Sequence, residues 1–260
     1  MANMTSAGGN GVLEDPVYEA RGLTKRFGAI VACEDVDVKI RRGRLTAIVG
    51  DNGAGKSTVV KMMTGVTSPD SGTLILNQRE IKLSNPLDAR LLGIEAVYQE
   101  LGLAPNLDVV SNVFLGRELT RPFAGLPFLQ FLDTARMKEL TLAELKRLNV
   151  KIPRAFGVPV GTMSGGQRQA VAVARAAHWT SSVLFMDEPT AALGPQESRA
   201  VLELIQRVLA DGVAVVMVSH ILPLVLQLAD HVIVMRQGRK VADVTGAVSA
   251  EELIKLIVGA

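Results

Sequence analysis

The chain has 260 residues, 48% of them hydrophobic, and its 28 Lys and Arg nearly balance 26 Asp and Glu, leaving a formal charge of +2. That length suffices for one large core, or for a core with a smaller lobe. The charge balance excludes a protein built to coat nucleic acid, and the single cysteine, Cys33, excludes an internal disulfide.

No run reaches the ~18 apolar residues a membrane span needs. The opening stretch MANMTSAGGNGVLEDP is small, polar and Gly-rich, without an apolar h-region, so residues 1–15 read as a disordered tail and not a signal peptide. Alternation of Val36, Val38 and Ile40 predicts a half-buried strand. LTAIV, residues 45–49, is an apolar run feeding a Gly-rich loop; Gly72, TLIL and the turn pair Asn77 and Gln78 predict a hairpin. VLFM (183–186), VAVVMV (213–218) and VIVM (232–235) predict buried strands, and a helix between the first two carries Val201, Leu202, Ile205, Val208 and Leu209 on one face. Strands alternating with helices imply an α/β fold with a mostly parallel sheet covered on both faces.

From about Leu107 to Ala177 helical spacing prevails, with Met137, Leu140, Leu145 and Leu148 as one stripe, and no strand is expected. This segment reads as a helical lobe inserted into the α/β core. Within it, RPFAGLPFLQFL (121–132) is unusually apolar and holds two prolines. It reads either as a loop packed on its own lobe or as a docking surface. After Gly238 a short strand and a helix over 250–258 are expected.

GDNGAGKST, residues 50–58, fits G-x-x-x-x-G-K-[ST] and lies between an apolar strand and a helix-forming run. Glycines at this spacing let backbone N–H groups close around phosphate oxygens, Lys56 reaches the β/γ-phosphates, and the Ser57 hydroxyl ligates Mg²⁺. The apolar strand ending in Asp187 and Glu188 puts two carboxylates at the sheet's carboxyl edge, where ligands sit in open α/β folds. Asp187 can hold Mg²⁺ and Glu188 can polarise an attacking water as general base; the alternative is an acidic strand end facing solvent. MSGGQRQAVAVARAA, residues 163–177, is a Gly-rich turn opening onto a long helix, which is the design of a second anion site.

In order, Phe27 in KRFG, the loop GDNGAGKST, Gln99 in VYQE, MSGGQ, the FMDEP strand and His220 in VSH resemble the ABC ATPase family over nearly the whole chain from about Val17. The resemblance implies a P-loop core about 16–100 and 181–260, with an antiparallel β edge, and an α-helical subdomain about 101–180. It implies ATP and Mg²⁺ as ligands. Gly50, Asp51, Asn52, Gly53, Ala54, Gly55, Lys56, Ser57 and Thr58 would hold the phosphates. Phe27 would stack on adenine, unless it is a core residue. Gln99 would contact Mg²⁺ or the lytic water, and His220 would contact the γ-phosphate and support Glu188. Ser164, Gly165, Gly166 and Gln167 would close over the γ-phosphate held by a second copy of the chain. His178, His231 and Trp179 read as structural. One departure is Gly194, where the family usually carries an aspartate that ties the two copies together.

Residues 98–119, EPTAALGPQES and the helix before HVIVMRQGRKV are similar to the monosaccharide-importer branch, of ribose, fructose or xylose type. That branch implies a peripheral energy-coupling subunit at the cytoplasmic face of the cell membrane. It would act as a homodimer on an integral permease fed by a periplasmic sugar-binding protein, with no nucleic-acid partner. The alternatives are an ATPase of another transporter class, or a regulator that closes on ATP without turnover.

Overall fold

In the computed structural model, which describes residues 15–123, 126–152, 156–191, 193–246 and 248–259, the chain begins as a hairpin, β1 (Tyr18–Phe27) and β2 (Ile30–Ile40), followed by β3 (Leu45–Val49) and α1 (Lys56–Met63). A second hairpin, β4 (Ser71–Leu76) and β5 (Arg79–Ile81), leads through α2 (Pro86–Leu91) to β6 (Ile94–Val97). Next come α3 (Val109–Val113), β7 (Thr120–Phe123), β8 (Leu126–Leu132), α4 (Thr134–Arg147) and α5 (Gly165–Trp179). Strand and helix then alternate as β9 (Val183–Asp187), α6 (Pro195–Ala210), β10 (Ala214–Val218), α7 (Leu222–Leu228) and β11 (His231–Arg236). The chain closes with β12 (Arg239–Thr245) and α8 (Ala250–Val258). The tail expected over 1–15 lies outside the described residues apart from Asp15, whose Oδ2 accepts from Gln78 Nε2 at 2.8 Å. Among the described residues no helix is long and apolar enough to cross a membrane.

Six strands form one sheet in the order β12-β11-β3-β10-β9-β6. The five from β11 to β6 run parallel and β12 pairs antiparallel with β11. The continuous apolar runs have a physical reason: this sheet is buried on both faces. Leu45, Ala47 and Val49 point into one hydrophobic cluster with α5 and α6, whereas Ile48, Phe185, Val216 and Ile233 point into another with α1, β1 and β2. Successive strand residues face opposite ways, so every position finds a core. A four-stranded sheet, β2-β1-β4-β5, is antiparallel throughout and covers the α1 side.

Parallel pairing has one consequence that places the site. The carboxyl ends of β11, β3, β10, β9 and β6 lie side by side along one edge, with Val218 opposite both Ile48 and Asp187, and Val97 opposite Met186. Whatever follows those strands projects from the same edge.

The segment between α3 and α4 corrects the expectation that residues 107–177 hold no strand. β7 and β8 pair antiparallel, with Thr120 opposite Leu132, Arg121 opposite Phe131 and Pro122 opposite Gln130. Pro122 breaks helical continuity, and a two-stranded ribbon has only edges, where proline is tolerated. Leu129, Phe131 and Leu132 stay 41%, 49% and 53% exposed. Elsewhere the lobe follows its helical stripe: Met137, Leu145 and Leu148 are buried and Leu140 packs beside them. Trp179 and His178 stack edge-on against the fully buried Phe114, and Trp179 Nε1 donates to Val113 O at 2.9 Å. His231 pairs with Asp243 on β12. All three side chains are structural, as expected.

Candidate active site

The loop after β3 wraps back on itself. Ala54 N–H donates to Asp51 O at 3.1 Å, and the Lys56 ammonium reaches back to Gly50 O at 2.7 Å and Asp51 O at 2.8 Å. Two of its glycines are dictated by crowding: a Cβ on Gly50 (φ 146°) would lie 2.1 Å from Met235 O, and one on Gly55 (φ 97°) 2.5 Å from Ala32 O. α1 then starts with no side-chain cap and no acidic residue in its first turn. Uncapped first-turn amides beside a lysine ammonium make an anion site.

Glu188 follows β9 directly and takes φ 54°, a conformation non-glycine residues rarely adopt. Its N–H donates to Val218 O at 3.0 Å, which pulls the backbone toward β10. The result is a side-chain pair: Glu188 Oε1 lies 2.8 Å from His220 Nδ1. The His220 loop is in turn pinned by Ser219, whose Oγ accepts from Ile221 N at 3.1 Å. Glu188 is mostly covered and His220 largely open to solvent. Asn52, Lys56, Ser57, Gln99, Asp187 and Glu188 line one open cleft of about 350 Å³. Its oxygen donors, Ser57 Oγ, the Gln99 amide and the Asp187 carboxylate, are the hard ligands Mg²⁺ takes when it is shared with substrate phosphates, so the residues present fit the ion. Gly50, Asp51 and Asn52 also line the neighbouring cleft that contains His220.

Phe27 stands apart. It is 52% exposed at the end of β1, with Lys25 Nζ 5.7 Å from its ring centroid, and it does not line the cleft. The residues just across its hairpin turn, Ile30 and Val31, do so and are themselves exposed at 70% and 36%. They were not singled out in the sequence, although an apolar pair after a Gly turn is a readable signal.

Ser164, Gly165, Gly166 and Gln167 form the start of α5. A reciprocal cap holds it: Gln167 N donates to Ser164 Oγ at 3.3 Å while Ser164 N donates to Gln167 Oε1 at 3.0 Å. Ser164, Gly166 and Gln167 line a different cavity that shares no residue with the phosphate-loop cleft. At its far end the same helix reaches the Gln99 segment, where Arg175 donates to Gly102 O at 2.7 Å and Leu101 O at 2.9 Å. Burial and the positive charge of Arg90 lower the Arg175 pKa below the usual arginine value. Glu197 on α6, which no sequence motif marks, contacts Ser164 Oγ and Gly166 N. Gly194 caps α6 without a side chain.

The family model for ABC transporter matches residues 33–191, which include the phosphate loop, Gln99, the Ser164 turn and the carboxylate pair. The chain belongs to the ABC transporter family. It is an ATP-binding, ATP-hydrolysing cassette of that family. It is 44% identical over 227 residues, 87% of each chain, to the fructose import ATP-binding protein FrcA of Rhizobium meliloti. It is 40% identical to the xylose/arabinose import ATP-binding protein XylG of Sulfolobus acidocaldarius, across 86% of both chains. The ribose import ATP-binding protein RbsA 1 of Rubrobacter xylanophilus is 37% identical over 94% of this chain but only 47% of its own length. This cassette therefore matches about half of that longer relative. Among solved structures, a nucleotide-free ATP-binding cassette from an ABC transporter superposes with a TM-score of 0.79 at 25% identity, covering 94% of this chain and 96% of the other.

Proposed function

We propose that this cassette drives a bacterial importer for a monosaccharide of the fructose, ribose or xylose class, as a homodimer that sandwiches two ATP molecules between its copies. The relatives with the highest identity reported above are named for import of such sugars, and two of them match this chain along most of their length. The cassette would sit at the cytoplasmic face of the membrane against an integral permease. A periplasmic binding protein would deliver the sugar, which never touches this chain.

One observation carries the reading. The phosphate loop, Glu188 and His220 gather at one sheet edge, whereas the Ser164 turn opens onto a cavity with no residue in common with that cleft. Two anion-binding elements in one chain that do not share a cleft are explained if each completes the site of a second copy. In that arrangement residues 50–58 cradle the phosphates and Lys56 neutralises the β/γ oxygens. Glu188 takes the proton of the attacking water and His220 orients Glu188 toward the γ-phosphate. Ser164, Gly165, Gly166 and Gln167 of the other copy close over that phosphate and exclude water. Phe27, next to the apolar pair Ile30 and Val31, offers its ring to adenine. Ser57, Gln99 and Asp187 would hold Mg²⁺, which when bound neutralises charge on the β/γ-phosphate oxygens.

The test is phosphate release at increasing chain concentration, alone and with the permease in vesicles, alongside uptake of labelled fructose, ribose and xylose. We expect specific activity to rise steeply with concentration, and uptake of one sugar to require the cassette. Full specific activity from a dilute, strictly monomeric preparation overturns the shared site. ATP-driven closure with no hydrolysis, even beside the permease, favours a regulator.

A further inference from the structure

The Ser164 turn already holds an anion, and the anion comes from its own chain. Glu197, the third residue of α6, points its carboxylate at the start of α5. Its Oε1 accepts from Ser164 Oγ at 3.0 Å and from Gly166 N at 3.2 Å, while Oε2 accepts from Gly194 N at 3.3 Å. The approach is close enough to require glycine: a Cβ on Gly166 would lie 2.7–2.8 Å from Glu197 Cβ, Cγ and Cδ. Two helix N-termini thus converge on a single carboxylate. The Ser164 hydroxyl and the Gly194 and Gly166 amides hold the Glu197 carboxyl below its ordinary range, as expected for an anion seated among donors.

We propose that Glu197 is an intramolecular stand-in for the partner's γ-phosphate and that its displacement sets how much ATP is needed to close the dimer. The inference rests on the shared-site reading above. Ser164 Oγ and Gly166 N are the donors that reading aims at the γ-phosphate, and one oxygen of Glu197 already engages both. A phosphate oxygen and Glu197 Oε1 cannot use the same donors at once, and the two charges repel at that distance. Closure is then an exchange of one anion for another, not the filling of free donors. The side chain has somewhere to go. A cavity of about 400 Å³ lies beside it, lined by Gly166, Gln167 and Glu197 and carrying the cations Lys151 and Arg207.

The experiment starts from Glu188→Gln, expected to hold ATP with turnover strongly slowed, and compares it with Glu188→Gln/Glu197→Gln. Glutamine keeps the volume and an acceptor oxygen but removes the charge. ATP–Mg²⁺ is titrated and dimer formation read by light scattering, with a thermal melt to show that both variants are folded. Glu188→Gln/Glu197→Ala, which removes the acceptors as well, guards against a residual contact. We expect Glu188→Gln/Glu197→Gln to dimerise at an ATP concentration about fivefold lower, because a charged acceptor binds these donors about twice as strongly as a neutral one, and Glu188→Gln/Glu197→Ala to shift at least as far. An unchanged or raised midpoint overturns the proposal and leaves the shared site standing. Failure of the Glu188→Gln parent to dimerise at all overturns the shared site, and this inference with it.

Discussion

Glu188 Oε1 and His220 Nδ1 meet at 2.8 Å although the residues lie 32 positions apart. The contact is a product of topology. β9 and β10 are parallel neighbours with Asp187 opposite Val218, so the residues just beyond them leave the sheet side by side. The positive φ of Glu188 then turns its side chain toward the loop that carries His220. A carboxylate held in a costly backbone conformation and oriented by an imidazole is what motivates assigning Glu188 the base and His220 its orientation.

That pair gives the first prediction. Glu188→Gln should retain ATP binding, lower kcat by about 10²–10⁴-fold, the usual contribution of a positioned base, and accumulate an ATP-bound dimer on gel filtration. His220→Ala should lower kcat by about 10²-fold or less, because the base stays and only its orientation is lost. A larger loss from His220→Ala than from Glu188→Gln would mean that His220, not Glu188, handles the proton.

The second concerns Lys56. Its ammonium is nearly buried and spans the two carbonyls that shape the loop. Lys56→Ala should leave the fold intact, since those carbonyls sit beside an open cleft where water can replace the lysine. It should raise the Kd for ATP about 100-fold, the scale expected for truncating a buried, hydrogen-bonded charge opposite a polyanion. Unchanged affinity by titration calorimetry would move the phosphates elsewhere.

Much of the core was readable because parallel strands buried on both faces are written as unbroken apolar runs; LTAIV maps onto β3 residue for residue. β1 was not readable, because it is irregular: its pairing with β2 shifts register after Ala20, Leu23 and Lys25, and the shifts scramble the alternation that marks a strand. β6 is four residues long and includes the buried Glu95, which looks like a polar interruption until Arg117 is seen 2.6 Å away. The hairpin of β7 and β8 was hidden by the helical periodicity on either side of it. At the site, contiguous motifs were fully visible. Glu197 was not, since its contacts exist only because α5 packs on α6, which no local pattern encodes.

The third prediction tests how the helical lobe is held together. Glu144 on α4 accepts from Arg147 at 2.5 and 3.1 Å and lies 3.8 Å from His178 of α5. Burial pushes its carboxyl up, but the His178 contact and the Arg147 guanidinium outweigh this and leave it below the ordinary value of 4.5. A carboxyl lowered in the folded state stabilises fully above the unfolded value. That stabilisation is lost as pH falls through the lower, folded one. Glu144→Gln should therefore cost about 1–2 kcal/mol near neutrality and nothing once both states are protonated. Melting curves of the two proteins should converge as pH drops below about 4.5. A gap that persists at low pH would assign Glu144 a packing role alone.

The fourth separates the two halves of the site by genetics. Lys56→Ala removes the cis half and Ser164→Arg the trans half, so each homodimer has no complete site. Mixing them produces heterodimers with one wholly defective site and one wholly intact one: the Ser164→Arg chain contributes its own phosphate loop, and the Lys56→Ala chain contributes its own Ser164 turn. Random pairing makes half the dimers mixed, and each of those has one working site of two, so about a quarter of the parent ATPase activity should return. No subunit that carries both elements of its own site can behave this way, because two dead chains would stay dead in any mixture. Phosphate release measured across mixing ratios should peak near equal amounts and vanish at either end. A flat, inactive line would place Ser164 and Lys56 in the same copy's site and remove the reason for a dimer.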